Sequence, residues 1–238
     1  MAEKSSVDEI RARFDRDVER FSRLETGQSS TVDAPLVLDL ITRAAAAVNP
    51  GATAVLDVGC GAGNYTLKLL ERLPGLQVTL LDLSDPMLER ARERISASGA
   101  AGGITLIQRD VREAPLGEGR FDIILAAAVL HHLRNAGEWR AVFEKFHRAL
   151  RPGGSLWISD LVRHTIPAVE QMMWERYGDY LSSLGGEDYR RHVFAYIERE
   201  DSPTPLLYQC DLLRAAGFRQ FEILHKNSSF AAFGAVRE

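Results

Sequence analysis

Apolar positions follow two rhythms along this chain. Over residues 7–24 they recur at three- and four-residue steps (Val7, Ile10, Phe14, Val18, Phe21, Leu24) among many charges, which predicts one amphipathic helix. A polar link over 25–31 separates it from a second predicted helix over 33–48. From Ala52 onward the rhythm changes. Short, mostly small and β-branched apolar runs over 52–58, 77–81, 104–108, 121–127 and 155–159 alternate with helix-period stretches over 64–72, 84–99 and 138–150. Unbroken apolar strands alternating with helices predict a parallel sheet covered on both faces. The residues over 161–202 return to helical spacing (Met173, Tyr177, Tyr180, Leu184), broken at Gly185-Gly186 before a second helix over 187–199. A helix over 206–216, closed by Gly217, leads to strands over 219–225 and 230–236. Their short connection, Lys226-Asn227-Ser228, makes them an antiparallel hairpin.

The first strand carries the anomaly around which the rest is arranged. Asp57 interrupts an apolar run, and Gly59, Gly61 and Gly63 follow on alternate positions in Asp57-Val58-Gly59-Cys60-Gly61-Ala62-Gly63. Glycines there allow backbone conformations closed to other residues and let a ligand lie against the main chain, with the next helix directing its amide end at it. A dinucleotide fingerprint would place its third glycine three residues after the second, where this chain has Asn64. A strand-end acid before a glycine loop that holds nothing is the bland alternative. It requires special backbone geometry and a costly polar group to coincide without a site.

The D-x-G-x-G-x-G pattern resembles the first motif of the class I S-adenosylmethionine-dependent methyltransferases. The resemblance extends through Asp82 at the end of the second strand, Asp110 after the third, the run Phe121-Asp122-Ile123-Ile124, the turn Leu150-Arg151-Pro152-Gly153-Gly154 and the terminal hairpin. It implies an α/β fold, a doubly wound Rossmann-like sheet of seven strands, mostly parallel with a C-terminal antiparallel hairpin and helices on both faces. It also implies S-adenosyl-L-methionine as cofactor and S-adenosyl-L-homocysteine as product. By the same resemblance Asp57 assists the methionine ammonium, Gly59, Cys60 and Gly61 supply backbone, and Asp82 accepts the ribose hydroxyls. Leu83 and Met87 pack on the purine, Asp110 and Val111 meet the adenine, and Ala126 and Ala127 leave room for the methionine arm. Met87 can equally be ordinary helix packing, and Asp110 a helix cap.

His131 and His132 lie just beyond the fourth strand, where acid–base chemistry would sit. Either is a catalytic candidate, with one expected to be a packing or capping residue. Tyr177 is a third candidate, in a segment dense in Trp174, Tyr177, Tyr180, Tyr189 and His192. Of these, Trp174, Tyr177 and Tyr180 can form a substrate wall with polar tips, or simply pack the segment onto the sheet.

Composition narrows the partners. A 238-residue chain with 45% apolar residues suits a single unit (1–238). Within it, 1–50 forms a helical cap, 51–160 the cofactor core, 161–202 a helical insert or lid, and 203–238 the closing helix and hairpin. The net charge of −4 provides no basic field, which argues against nucleic acid and anionic membrane as partners and favours a small-molecule substrate. Arg190-Arg191 and the arginines over 11–23 keep a tRNA wobble-base methyl- or carboxymethyltransferase as the alternative. A noncatalytic S-adenosylmethionine-binding protein is another, while the missing third glycine disfavours a nicotinamide oxidoreductase. Cys60 and Cys210 form no ligand pattern with any histidine, so no metal site and a reduced, cytoplasmic setting are expected. No signal-like segment and no run approaching about eighteen apolar residues is present. A homodimer remains open. A methyltransferase for a small organic acceptor, working by in-line displacement, is the reading these features favour.

Overall fold

The computed structural model describes residues 4–23 and 28–238. Strands β1 (Ala54–Val58), β2 (Gln77–Asp82), β3 (Gly103–Gln108), β4 (Phe121–Ala127), β5 (Leu150–Leu161), β6 (Gln220–Asn227) and β7 (Phe230–Val236) form one sheet. Its order is β3-β2-β1-β4-β5-β7-β6, and only β7 runs against the others. The strand order reverses between β1 and β4. In such sheets the ligand crevice opens at that switch point, beyond the carboxyl ends of the strands.

Helices cover both faces, as continuous apolar strands require. On one face α3 (Ala34–Val48), α4 (Asn64–Leu70) and α5 (Asp85–Ser98) bury Ile41, Leu69 and Leu88 against Val55, Val78 and Ile123. On the other, α6 (Ala136–Ala149) and α8 (Leu206–Ala216) bury Phe143, Phe146 and Leu213 against Leu56, Ile124 and Leu156. Local signals set the ends of these helices. Ser84 caps α5 by accepting from the Met87 amide at 3.3 Å, and Asn135 caps α6 through the Glu138 amide at 3.0 Å.

A third apolar cluster stands above the strand ends, where α7 (Pro167–Glu200) packs Tyr177, Leu181, Val193 and Ile197 around Leu161 and Phe230. As the sequence predicts, α7 is two helical halves. They meet at Gly185 and Gly186, whose φ of +76° and ψ of −177° is a conformation open essentially to glycine alone.

The structure departs from expectation in three places. The predicted helix over 7–24 is two, α1 (Val7–Arg16) and α2 (Val18–Phe21), because Asp17 leaves helical geometry and its N–H turns back to the Phe14 carbonyl. That break brings Phe14 and Phe21 together, with ring centroids 5.6 Å apart. Strand β5 begins at Leu150, not Ser155: Leu150 pairs with Phe121 and Ser155 with Ile123, so Pro152 and its glycines are absorbed as an irregularity inside the ladder. The hairpin turns at Ser228-Ser229, and Lys226 and Asn227 belong to the ladder. Of the polar link over 25–31, residues 25–27 lie outside the described residues. No helix among the described residues is long and apolar enough to cross a membrane.

Candidate active site

A cavity of about 800 Å³ opens above the carboxyl ends of β1, β2, β4 and β5. Its floor is the glycine loop and the strand ends. Its roof comes from α1, from Gln28 to Thr31 and from α7. Hydrogen bonds hold the roof in place. Tyr177 and Tyr180 donate their hydroxyls to the Ser30 and Ser29 carbonyls at 2.9 and 2.8 Å, and Asn64 on α4 donates to the Phe21 carbonyl at 3.2 Å.

At one end the loop is pinned to β2. The amides of Gly59 and Cys60 both donate to the Leu81 carbonyl, at 2.7 and 3.1 Å. Gly61 lies at φ +49°, and a Cβ there would find no atom within 4 Å, so its backbone presents a bare face. The Gly61 amide donates to one Asp82 oxygen at 2.9 Å and the Ser84 amide to the other at 3.0 Å. Burial pushes the Asp82 pKa up and these amides oppose the shift. Asp57, 2% exposed, accepts from the Thr66 hydroxyl at 2.7 Å, and burial raises its pKa to about 7. Cys60 is buried and its thiol pushed upward by desolvation, so it offers backbone and not a thiolate.

Leu83, Met87, Val111 and Ala127 all reach the cavity, although Met87 is also 1% exposed and packed. Asp110 reaches it too, with its carboxylate engaged: it accepts from the Arg112 amide at 2.8 Å and from the Arg112 guanidinium, which also pairs with Glu138 at 3.2 Å. This pairing holds the Asp110 carboxyl below its usual range against the cost of burial. The helix cap expected as the alternative is not present: residues 111–113 form a turn and not a helix, and the bond from the Arg112 amide to Asp110 closes that turn. Ala126 does not line the cavity. Successive strand residues face opposite sides, and Ala126 points into the core with Leu56 and Ile158 while Ala127 faces the site.

At the other end four groups from distant parts of the chain converge. His131, in the short 3₁₀ turn Leu130–His132, has its Nδ1 against Asp160 Oδ1. The second Asp160 oxygen accepts from the Leu130 and His131 amides at 2.8 and 3.2 Å. Asp201, at the end of α7, lies with Oδ1 3.7 Å from His131 Nε2 and 3.4 Å from His132 Nδ1. Burial opposes the charge on His131, but Asp160 and Asp201 outweigh it and raise its pKa to about 9. Burial, reinforced by His131, drives His132 well below its ordinary value, and burial lifts Asp201 to about 6. The phenol of Tyr177 is raised by burial, and its hydroxyl is committed to Ser30. Of the predicted wall, Tyr177 alone faces the cavity. Trp174 packs edge-on to Phe194 with centroids 5.3 Å apart, and Tyr180 stacks beside Tyr177.

Sequence reasoning missed Arg13, Phe14 and Asp201 as lining residues. Phe14 stands edge-on to His132 with ring centroids 6.1 Å apart. Its helical spacing was visible, but nothing in that spacing says which face covers a cavity. Asp201 had a weaker signal, an acid following Glu200 just before the Pro203 break.

Similarity to known proteins agrees with this geometry. Residues 55–154 match a family described as "Methyltransferase domain". The demethylmenaquinone methyltransferase of Thermus thermophilus is 26% identical over 174 residues, 71% of this chain and 76% of that one. The carboxy-S-adenosyl-L-methionine synthase of Klebsiella pneumoniae is 26% identical over 191 residues, covering 78% and 75%. An O-methyltransferase family protein from Burkholderia thailandensis shares the fold at a TM-score of 0.67 and 20% identity over 94% of this chain, which spans 59% of its length. The seven-stranded sheet with its single reversed strand and these matches agree in likening the chain to the class I S-adenosylmethionine-dependent methyltransferases, with a methyltransferase domain matched over residues 55–154.

Proposed function

We propose that the chain binds S-adenosyl-L-methionine on the glycine loop and transfers its methyl group to a small organic acceptor held under the α1 and α7 roof. One observation carries this reading. A single cavity joins a bare backbone loop and a ribose-competent carboxylate at one end to a roofed, aromatic chamber at the other.

The residues present fit the cofactor. Asp82 is oriented by two amides before any ligand arrives, so accepting two adjacent hydroxyls needs no further reorganisation. Asp57 suits an ammonium, whose approach would stabilise the ionised form that burial resists. Leu83, Met87 and Val111 supply apolar surface for a purine, and Asp110 remains an acceptor at its edge. When bound, the cofactor supplies an electrophilic sulfonium methyl with a neutral thioether as leaving group.

What the chain itself contributes is alignment and exclusion of water. We assign the acceptor end to His131 and His132, whose rings line it, and to the ring of Tyr177, whose hydroxyl holds the roof. Residues 51–160 then form the cofactor half, 161–202 with 1–50 the enclosure, and 203–238 the strands that complete the sheet. Arg13 at the roof is already paired with Glu200, so the chamber suits a small, partly aromatic or oxygenated molecule better than a polyanion.

The test is calorimetric titration of S-adenosyl-L-methionine and S-adenosyl-L-homocysteine into wild type and Asp82→Ala. A loss of about 1.5–3 kcal/mol, roughly 10- to 150-fold in affinity, is expected for the variant. Equal affinities would remove the ribose assignment. Tight NADH binding with none of the methyl donor would overturn the cofactor itself.

A further inference from the structure

The acceptor end holds a constellation that methyl transfer by alignment leaves unexplained. His131, His132 and Asp201 each present one donor atom, and the three atoms all lie within 4.8 Å of one another. Asp201 Oδ1 and both ring nitrogens of His132 are buried without a hydrogen-bond partner among the described residues. Buried polar atoms that face one another unpaired are costly, and most native ones are satisfied by protein, water or an ion. The separations of 3.4 and 3.7 Å from Asp201 to the two imidazoles are too long for good hydrogen bonds. They are close to the spacing of atoms that share one ion at about 2.0–2.2 Å.

We propose that His131, His132 and Asp201 bind a divalent transition-metal ion at the acceptor end of the cavity. Two imidazoles and one carboxylate suit the borderline metals zinc, iron or cobalt, and manganese among the harder ions, better than magnesium and calcium, which prefer all-oxygen sets. Asp160 completes the arrangement. It takes the Nδ1 side of His131, fixing the ring so that Nε2 points at Asp201, and is itself held by two backbone amides. A carboxylate behind a ligating histidine is the usual outer partner of such sites. Charge points the same way, since two carboxylates, Asp160 and Asp201, are buried beside two imidazoles, and a dication balances them with both rings neutral.

Three protein ligands leave coordination positions open, and all three residues line the cavity. An acceptor bearing a hydroxyl or enol oxygen would bind there, the ion lowering the pKa of that oxygen so that its proton passes to solvent. The oxygen lone pair, or the adjacent carbon of the enolate, is then available to take the methyl group as the thioether leaves. This role rests on the methyl-transfer reading above, whereas the metal site does not.

The experiment is done on the purified full chain without any methyl donor. Zn²⁺, Co²⁺ and Mn²⁺ are titrated one at a time into metal-stripped wild type, Asp201→Asn and His132→Gln, with circular dichroism of each variant to verify folding. Saturable binding of one equivalent to wild type, a visible ligand-field spectrum with Co²⁺, and at least tenfold weaker binding in both variants are expected. No saturable binding of any of the three ions, or affinities unchanged in both folded variants, would overturn the proposal. X-ray absorption of the cobalt-loaded wild type gives a reading that needs no variant: two imidazoles in the shell support the site, and none overturns it. S-adenosyl-L-methionine titrated in parallel into metal-stripped wild type tests the cofactor reading separately.

Discussion

Asp57 shows how one side chain can be unfavourable for the fold and, on the proposed reading, useful for the ligand. Its folded pKa of about 7 is well above the ordinary value near 4. The folded chain therefore binds the proton more tightly than the unfolded one between those values. The sign follows: this residue's contribution to stability is most favourable below pH 4 and declines as pH rises through 7, beyond which the full cost of a buried carboxylate is present. Asp57→Asn keeps an acceptor for Thr66 and removes the charge. Its melting temperature should exceed that of wild type at pH 8, with the gap narrowing at pH 5, while affinity for S-adenosyl-L-methionine falls at least tenfold. A variant less stable than wild type at pH 8 would show that the carboxylate is compensated in the free protein. Tyr177 presents the reverse case. Tyr177→Phe removes the bond to Ser30 and nothing from the ring, so a loss of about 1 kcal/mol, read as a lower melting temperature with unchanged cofactor affinity, is expected.

Among the elements, α7 does most to shape the chamber, and its kink is what lets it do so. The first half carries Tyr177 and Leu181 and the second Val193 and Ile197, and all four meet in one cluster because the chain turns at Gly185-Gly186. A straight helix of that length would carry its second half away from the cluster. Gly186→Ala meets no neighbouring atom but must hold φ +76° with ψ −177°. The expected cost is about 1–3 kcal/mol, seen as a lower melting temperature and faster amide exchange over 187–200, with the β1–β5 core still protected. Equal protection in both halves would mean the kink relaxes without strain. The break at Asp17 acts similarly at smaller scale: α1 and α2 place Phe14 and Phe21 side by side over the cavity, which one continuous helix would not do.

Across the molecule, the N-terminal segment and the end of α7 close on each other over the site. Arg13 reaches Glu200 at 2.9 Å and the Tyr196 hydroxyl at 2.7 Å, with its guanidinium over the rings of Phe14 and Tyr196. Ser5 donates to the Arg199 carbonyl at 3.1 Å, and Arg134 from below reaches the Ser5 carbonyl at 3.0 Å. The Glu200 side chain is 3% exposed, so removing Arg13 strands a buried carboxylate, with Arg199 remaining 3.5 Å from its other oxygen. Arg13→Ala should cost about 3 kcal/mol, and adding Glu200→Gln should restore more than half of it, as measured by denaturant titration. Additive losses would mean that Arg13 acts through its ring contacts and not through the charge pair.

The cofactor half was legible along the chain because its signals are local. An acid, three glycines and the start of a helix within ten residues already specify strand, turn and helix, and β1 through β4, α3 through α6 and the closing hairpin lie where periodicity placed them to within a few residues. Even there, the pleat of β4 turned Ala126 away from the site, and a local charge partner occupied Asp110. The acceptor half was not legible, because its chemistry is made by contacts between segments with no shared period. His131 and His132 are ordinary residues of a turn until Asp160, one strand later, fixes the first and Asp201, at the far end of a kinked helix, meets both. Hydrophobic periodicity reports which face of an element is buried. It carries no information about which polar ends the packed elements then bring to the same point, because that depends on helix length, crossing and kink together.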